Sequence, residues 1–103
     1  MKPELWIGVV ELKPLNKEKG KPAGAFTNFV TWATDIDSFR SNIEIVAAEL
    51  EMYIAGIENS EPVQERFRNK TMDEEIEDIV LRAESNPKAI IFGTFYTYPH
   101  EIG

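Results

Sequence analysis

The chain of 103 residues contains no cysteine and only one histidine, His100. Without thiols it forms no disulfide, binds no zinc or iron-sulfur cluster through sulfur, and has no cysteine nucleophile. Phosphate-cradling glycine loops, dinucleotide fingerprints and nucleophile elbows are absent as well. We therefore expect no catalytic residue set, no metal site and no cofactor.

Long hydrophobic runs are also missing. The apolar stretch near the start, residues 5–12, is interrupted at Glu11 and is too short and too charged for a signal peptide or a membrane span. We expect a cytoplasmic protein, and the lack of cysteine agrees with that expectation.

Basic residues are scarce, and the formal net charge is −7. Residues 34–86 hold fourteen acidic side chains against five basic ones, a local net charge of −9. A field of this sign repels phosphate backbones and anionic lipid, which argues against nucleic acid and membrane as partners. The charge favours a basic protein partner.

Apolar content is sufficient for one core, because 43% of the residues are hydrophobic and the chain has six Phe, two Trp and three Tyr. This composition predicts a single α+β domain over residues 1–103.

Two strands are predicted in the first third of the chain. Residues 5–12 and 25–34 are rich in β-branched and aromatic side chains, and residues 13–24 between them carry proline, glycine and asparagine typical of turns. We expect the two strands to pair antiparallel. Both faces of residues 5–12 are largely apolar, which indicates an interior strand.

Two amphipathic helices are predicted from three- and four-residue spacing of apolar side chains. The first is capped at its start by Thr34, Asp35 or Asp37, and the second covers residues 71–87 with Thr71 and Glu74 as a capping box. Residues 52–58 fit either a continuation of the first helix or a strand. A strand is favoured because Met-Tyr-Ile followed by Gly56 and Ile57 suits a half-buried strand and because the helix would otherwise be unusually long. The core-facing stripe of the first helix comprises Ile36, Phe39, Ile43, Val46, Ala47 and Leu50. That of the second helix comprises Met72, Ile76, Ile79, Val80 and Ala83.

With a last strand over residues 88–99, the element order is β-β-α-β-α-β. The arrangement that buries these elements most simply is a four-stranded, mostly antiparallel sheet with two helices packed on one face. We therefore predict an α+β fold of ferredoxin-like architecture, though not of ferredoxin-like strand order.

The last strand is rich in rings. Base stacking is disfavoured, because the basic residue and the glycine-aromatic-glycine order of RNA-binding strands are missing and the net charge has the wrong sign. Alternation places Phe92, Tyr96 and Tyr98 on one face of the sheet, opposite Ile91, Phe95 and Thr97. If helices leave the first group uncovered, it forms a patch for a homodimer or for another protein. A sheet covered by helices on one face leaves its other face to be filled by side chains or by a second copy, so we expect a homodimer.

The second candidate surface is the acidic start of the second helix. Its acids are stabilised by the partial positive charge of a helix N-terminus, which explains them without a partner. The same cluster also suits electrostatic attraction of a basic surface. Its members are Glu74, Glu75, Glu77 and Asp78.

Two hypotheses about function follow. The favoured one is a non-catalytic protein-interaction module, such as an inhibitor or an immunity-type protein that binds a basic protein. The alternative is a small enzyme or ligand-binding domain that uses Glu58, Tyr96, Tyr98 and His100. His100 follows a proline near the end of the chain, where a catalytic group is hard to hold in place, so we expect it to be exposed or to serve packing. A cleft joining these residues would favour the alternative, whereas a flat aromatic face bordered by acids would favour the module.

Overall fold

The computed structural model describes residues 2–16 and 22–99. An antiparallel sheet forms the centre of the molecule, and helices cover much of it. In chain order the elements are β1 (Glu4–Pro14), β2 (Gly24–Ala33), α1 (Ile36–Glu49), β3 (Met52–Pro62), α2 (Val63–Arg66), α3 (Glu74–Glu84), β4 (Ile90–Phe92) and β5 (Tyr96–Tyr98).

The α+β class and the antiparallel sheet are confirmed. The strand order is β3-β1-β2-β4, and β5 pairs with the same side of β2 as β4 does. Residues 52–58 form a strand, as favoured from the sequence. Because β2 and β3 both run antiparallel to the β1 strand between them, β2-α1-β3 is a split β-α-β unit, which is consistent with a ferredoxin-like arrangement.

The prediction that both helices pack on one face of the sheet is wrong. Helix α1 covers the face that carries Val10, Leu12 and Phe29, whereas α3 covers the opposite face, which carries Ile7 and Val30. The physical reason lies in β1 and β2, which present apolar side chains on both faces, so that one helix cannot bury them all. The interior character of residues 5–12 was the sequence signal for this second helical layer.

Helix α1 begins at a reciprocal cap. The Asp35 carboxylate accepts a hydrogen bond from the Ser38 backbone N–H at 2.8 Å, and the Ser38 hydroxyl oxygen accepts one from the Asp35 N–H at 3.2 Å. Phe39 and Ile43 are fully buried against the sheet. Two residues expected in the same stripe are instead exposed, Ile36 to 43% and Leu50 to 41%. The helix stops before Leu50, and Glu51 adopts a left-handed conformation with φ 58°.

Helix α3 begins three residues later than predicted. The cap is Asp73, whose carboxylate accepts a hydrogen bond from the Ile76 N–H at 2.8 Å, in place of the expected box of Thr71 and Glu74. The apolar stripe is as expected, because Ile79, Val80 and Ala83 are buried against the sheet.

Candidate functional site

Within residues 2–16 and 22–99, the helices leave part of one sheet face uncovered. Helix α3 covers the part of its face around Ile7 and Val30. Near the β1–β2 hairpin, the same face carries the strand side chains that point away from α1. They alternate along each strand with the side chains that pack towards α1. We call this region the aromatic face, and it comprises Val9, Glu11, Lys13, Phe26, Tyr53, Glu58, Tyr96 and Tyr98.

Register brings the rings of the aromatic face together. Phe26 lies directly opposite Glu11 on β1 and opposite Tyr96 on β5. The ring centroids of Phe26 and Tyr98 are 5.6 Å apart with a 41° tilt, which is a favourable aromatic contact. Tyr96 is 61% exposed and Tyr53 is 47% exposed. Solvent therefore reaches Tyr96 on β5 and Tyr53 on β3 of the same sheet face.

Tyr98 is held in place by Glu11. Its hydroxyl donates a hydrogen bond to the Glu11 carboxylate, so the side chain reaches across β2 from β5 to β1. This hydrogen bond is the main reason why the pKa of Tyr98 is raised from 10.0 to about 12, with smaller contributions from burial and from negative charge on Glu11 and Tyr53. The hydrogen bond to Glu11 thus both holds the Tyr98 side chain across β2 and favours its protonated form.

Gly24 makes the path of the Tyr98 side chain possible. A methyl group at this position would collide with the Tyr98 hydroxyl and would also lie 2.9 Å from the Leu12 carbonyl oxygen. The missing side chain on β2 therefore opens the space through which the hydroxyl reaches Glu11.

The predicted grouping of Phe92 with Tyr96 and Tyr98 is wrong. Phe92 pairs with Phe29, but Tyr96 pairs with Phe26, so the chain between β4 and β5 contains one more residue than the facing part of β2. One extra residue reverses the alternation of side chains. Phe92 therefore packs on the α1 side, 5.5 Å from the Phe29 ring and 5.1 Å from the Phe95 ring between centroids.

Two of the four acids predicted as an interaction surface have contacts within the fold. The Glu75 carboxylate accepts hydrogen bonds from the Thr94 N–H at 2.6 Å and from the Thr94 hydroxyl at 3.0 Å. Asp78 forms an ion pair with Arg82 at 3.1 Å. Glu74 and Glu77 are exposed. Glu75 thus fixes the β4–β5 connection to α3, which the sequence did not reveal.

The residues of the alternative site are separated. Glu58 lies on β3 opposite Val9, whereas Tyr96 and Tyr98 lie on β5, with β1 and β2 between them. His100 lies outside the described residues. Reasoning from the sequence missed Phe26 and Tyr53 as members of the site. The alternation of side chains along β2 could have identified Phe26 as a site residue, since it puts that ring on the same face as the polar Asn28.

Two further observations concern the described ranges alone. Residues 2–16 and 22–99 contain no cluster of three or more His, Cys, Asp or Glu side chains that could hold a metal ion. Within these ranges, none of the helices is long and apolar enough to cross a membrane.

The chain was compared with family models, with curated proteins and with solved structures, and none of the three comparisons found a match. Function is therefore inferred from the geometry and charge of the aromatic face.

Proposed function

We propose that this protein is a non-catalytic interaction module that binds a basic protein through the aromatic face, as an inhibitor or an immunity-type protein would. The observation that carries the proposal is the exposed pair of Phe26 and Tyr96, which lie directly opposite each other on β2 and β5, with Glu11 opposite Phe26 on β1. The exposed Tyr53 and Glu58 lie on β3 of the same sheet face.

Exposed rings on a sheet are unusual, because a solvated sheet face normally carries polar side chains. Tyrosine and phenylalanine are enriched where proteins contact one another, and they contribute large contact areas at low cost in side-chain entropy. Tyr98 is already fixed by Glu11, so little of its freedom remains to be lost on binding. The aromatic face is therefore suited to be the centre of an interface.

Charge selects the class of partner. The net charge of −7 and the acidic segment over residues 34–86 attract a basic protein and increase its rate of association. The same field opposes binding of nucleic acid and of anionic membranes. A cytoplasmic location is part of the proposal.

A second copy of the chain is the competing occupant of the aromatic face. The expectation of a homodimer began from a sheet with one wholly uncovered face, whereas α3 covers part of that face. Two copies would also bring together surfaces of the same net charge. We therefore favour a different, basic protein over a second copy.

The test compares two double variants that each remove two exposed apolar side chains. Phe26→Thr/Tyr96→Thr alters the aromatic face, and Ile45→Gln/Leu81→Gln is the matched control on the outer surfaces of α1 and α3, where both residues are more than half exposed. Immobilised wild type and control should retain the same basic protein from a lysate of the source cells, and the aromatic-face variant should lose it. Equal retention by all three proteins would refute the proposal.

Sedimentation of the purified chain distinguishes the two occupants. The proposal predicts a monomer, because the face is reserved for another protein. A dimer that Tyr96→Glu dissociates would instead assign the face to a second copy.

A further inference from the structure

A concave feature lies at the end of the sheet opposite the β1–β2 hairpin. It is a groove of about 450 Å³ between α2 and the C-terminal end of α3. This volume lies within the range typical of ligand sites in proteins. Apolar and acidic side chains line it together, among them Leu5, Trp32, Pro62, Val63, Glu4 and Glu84.

Trp32 gives the groove a fixed aromatic wall. Its indole N–H donates to the carbonyl oxygens of Ala83 at 2.8 Å and of Asn86 at 3.0 Å, both at the end of α3. The only polar group of the ring is thus occupied by the fold, and the rest of the indole is an apolar, electron-rich surface. This one N–H, shared between two carbonyl oxygens, favours the orientation in which the ring lines the groove.

The charge around this wall is negative. Glu4 and Glu84 are exposed carboxylates at the rim. The groove also adjoins the C-terminal end of α3, where the helix carries a partial negative charge. The neighbouring Arg66 guanidinium is balanced by Glu61 at 3.6 Å, and Lys2 is an exposed residue of the N-terminal segment.

Aromatic, aliphatic and acidic surfaces in one groove complement an organic cation with an apolar stem. A guanidinium or ammonium group is attracted both by carboxylates and by the face of an indole ring, and its methylene stem packs on apolar side chains. A neutral or anionic ligand would leave Glu4 and Glu84 without a counter-charge.

We propose that this groove binds the side chain of an arginine or lysine presented by the partner. The methylene stem packs against Leu5 and Val63, and the cation lies beside Trp32 between Glu4 and Glu84. The inference that a partner protein supplies this side chain rests on the proposed function, since a basic protein displays arginine and lysine side chains on its surface. The groove is separate from the aromatic face, because α3 covers the part of the sheet between them.

The direct test uses small probes and requires no partner. The probes are n-butylguanidinium and n-butylammonium, with the neutral n-butylurea as the matched control. Heteronuclear NMR resolves the indole N–H signals of the two tryptophans, Trp6 and Trp32. Trp32 should shift with the two cations at millimolar concentrations, and butylurea should bind at least about threefold more weakly, since an exposed charge interaction contributes up to about 1 kcal/mol.

Matched variants assign the binding to the rim. Glu4→Gln/Glu84→Gln should reduce the affinity for butylguanidinium by about threefold to tenfold, a change of about 1 kcal/mol or slightly more. Glu49→Gln/Glu51→Gln removes the same charge beside the end of α1 and should leave the affinity unchanged. The proposal is overturned if butylurea binds as tightly as the cations, if both variants behave alike, or if Trp32 does not shift at probe concentrations on the order of 100 mM.

The probe experiment and the retention experiment distinguish failure of the groove proposal from failure of the proposed function. If the probes bind at Trp32 but no basic protein is retained from lysate, the groove is a cation site and the proposed function is wrong. If a basic protein is retained through the aromatic face while the probes leave Trp32 unchanged, the groove proposal is wrong and the proposed function stands.

Discussion

The hydroxyl of Tyr98 donates a hydrogen bond to the carboxylate of Glu11, which lies 87 residues earlier in the chain. This contact joins β5 to β1 across the intervening β2 and fixes one ring of the aromatic face. It also links the geometry of the surface to a group whose ionisation can be measured, because the pKa of Tyr98 is raised to about 12.

The tyrosine titration should therefore contain a step near pH 12. A raised pKa in the folded state stabilises the fold fully below the ordinary value of 10.0, and this contribution is lost as the pH rises from about 10 to about 12. Ultraviolet absorbance of tyrosinate measures the step. Tyr98→Phe should remove it, Glu11→Gln should move it towards pH 10, and Tyr96→Phe should retain it. A step that survives Tyr98→Phe would show that another group is responsible.

Core packing of α1 predicts a large difference between two isoleucines of the same helix. Ile43 is fully buried, whereas Ile45 is 57% exposed. Ile43→Ala should lower the free energy of unfolding by about 2–5 kcal/mol, because it removes buried methylene groups and leaves a cavity. Ile45→Ala should change it by about 0.5 kcal/mol or less. Similar losses in urea unfolding of the two variants would mean that the face of α1 is misassigned.

Glu75 should matter for stability, and its neighbour Glu74 should not. Both lie in the first turn of α3, so both gain from the helix N-terminus. Only Glu75 accepts the two hydrogen bonds from Thr94. Glu75→Ala should therefore cost roughly 1 kcal/mol more than Glu74→Ala in thermal or chemical unfolding. Faster hydrogen exchange at the Thr94 amide should accompany the loss, and equal unfolding of the two variants would contradict the contact.

The exposed acids of α3 should act on association kinetics. Glu74→Gln/Glu77→Gln is designed to leave the Glu75 and Asp78 contacts intact while removing two charges. It should slow binding of the captured basic protein several-fold at low salt and flatten its salt dependence, with little change in dissociation, because long-range attraction acts on the encounter step. Glu49→Gln/Glu51→Gln is the charge-matched control. An unchanged salt dependence would exclude the α3 acids from steering.

Periodicity in the sequence was enough to predict much of the fold. The spacing of Phe39 and Ile43 gave the buried side of α1, and the spacing of Ile79, Val80 and Ala83 gave that of α3. Strand β3 was favoured over a longer helix by its residue pattern and by the length that the helix would otherwise reach. In the structure, helix α1 gives way to strand β3 at Glu51, which adopts a left-handed backbone conformation. A non-glycine residue gives no sequence signal for this conformation.

The aromatic face was harder to predict. Membership of a face depends on register, and one additional residue between Phe92 and Tyr96 reverses it. The contact of Tyr98 with Glu11 depends on the order of three strands and on the open space above Gly24. Such relationships arise from tertiary structure, and local pattern does not determine them.

The most direct test of the central claim is the dissociation constant of the captured basic protein, measured by calorimetry for wild type, Phe26→Thr/Tyr96→Thr and Ile45→Gln/Leu81→Gln. Two central aromatic contacts should together contribute at least about 2 kcal/mol, which is roughly a thirtyfold weakening for the aromatic-face variant. The control should bind as wild type does. A threefold or smaller change in the aromatic-face variant, with its fold intact by circular dichroism, would contradict the assignment of this face as the binding surface.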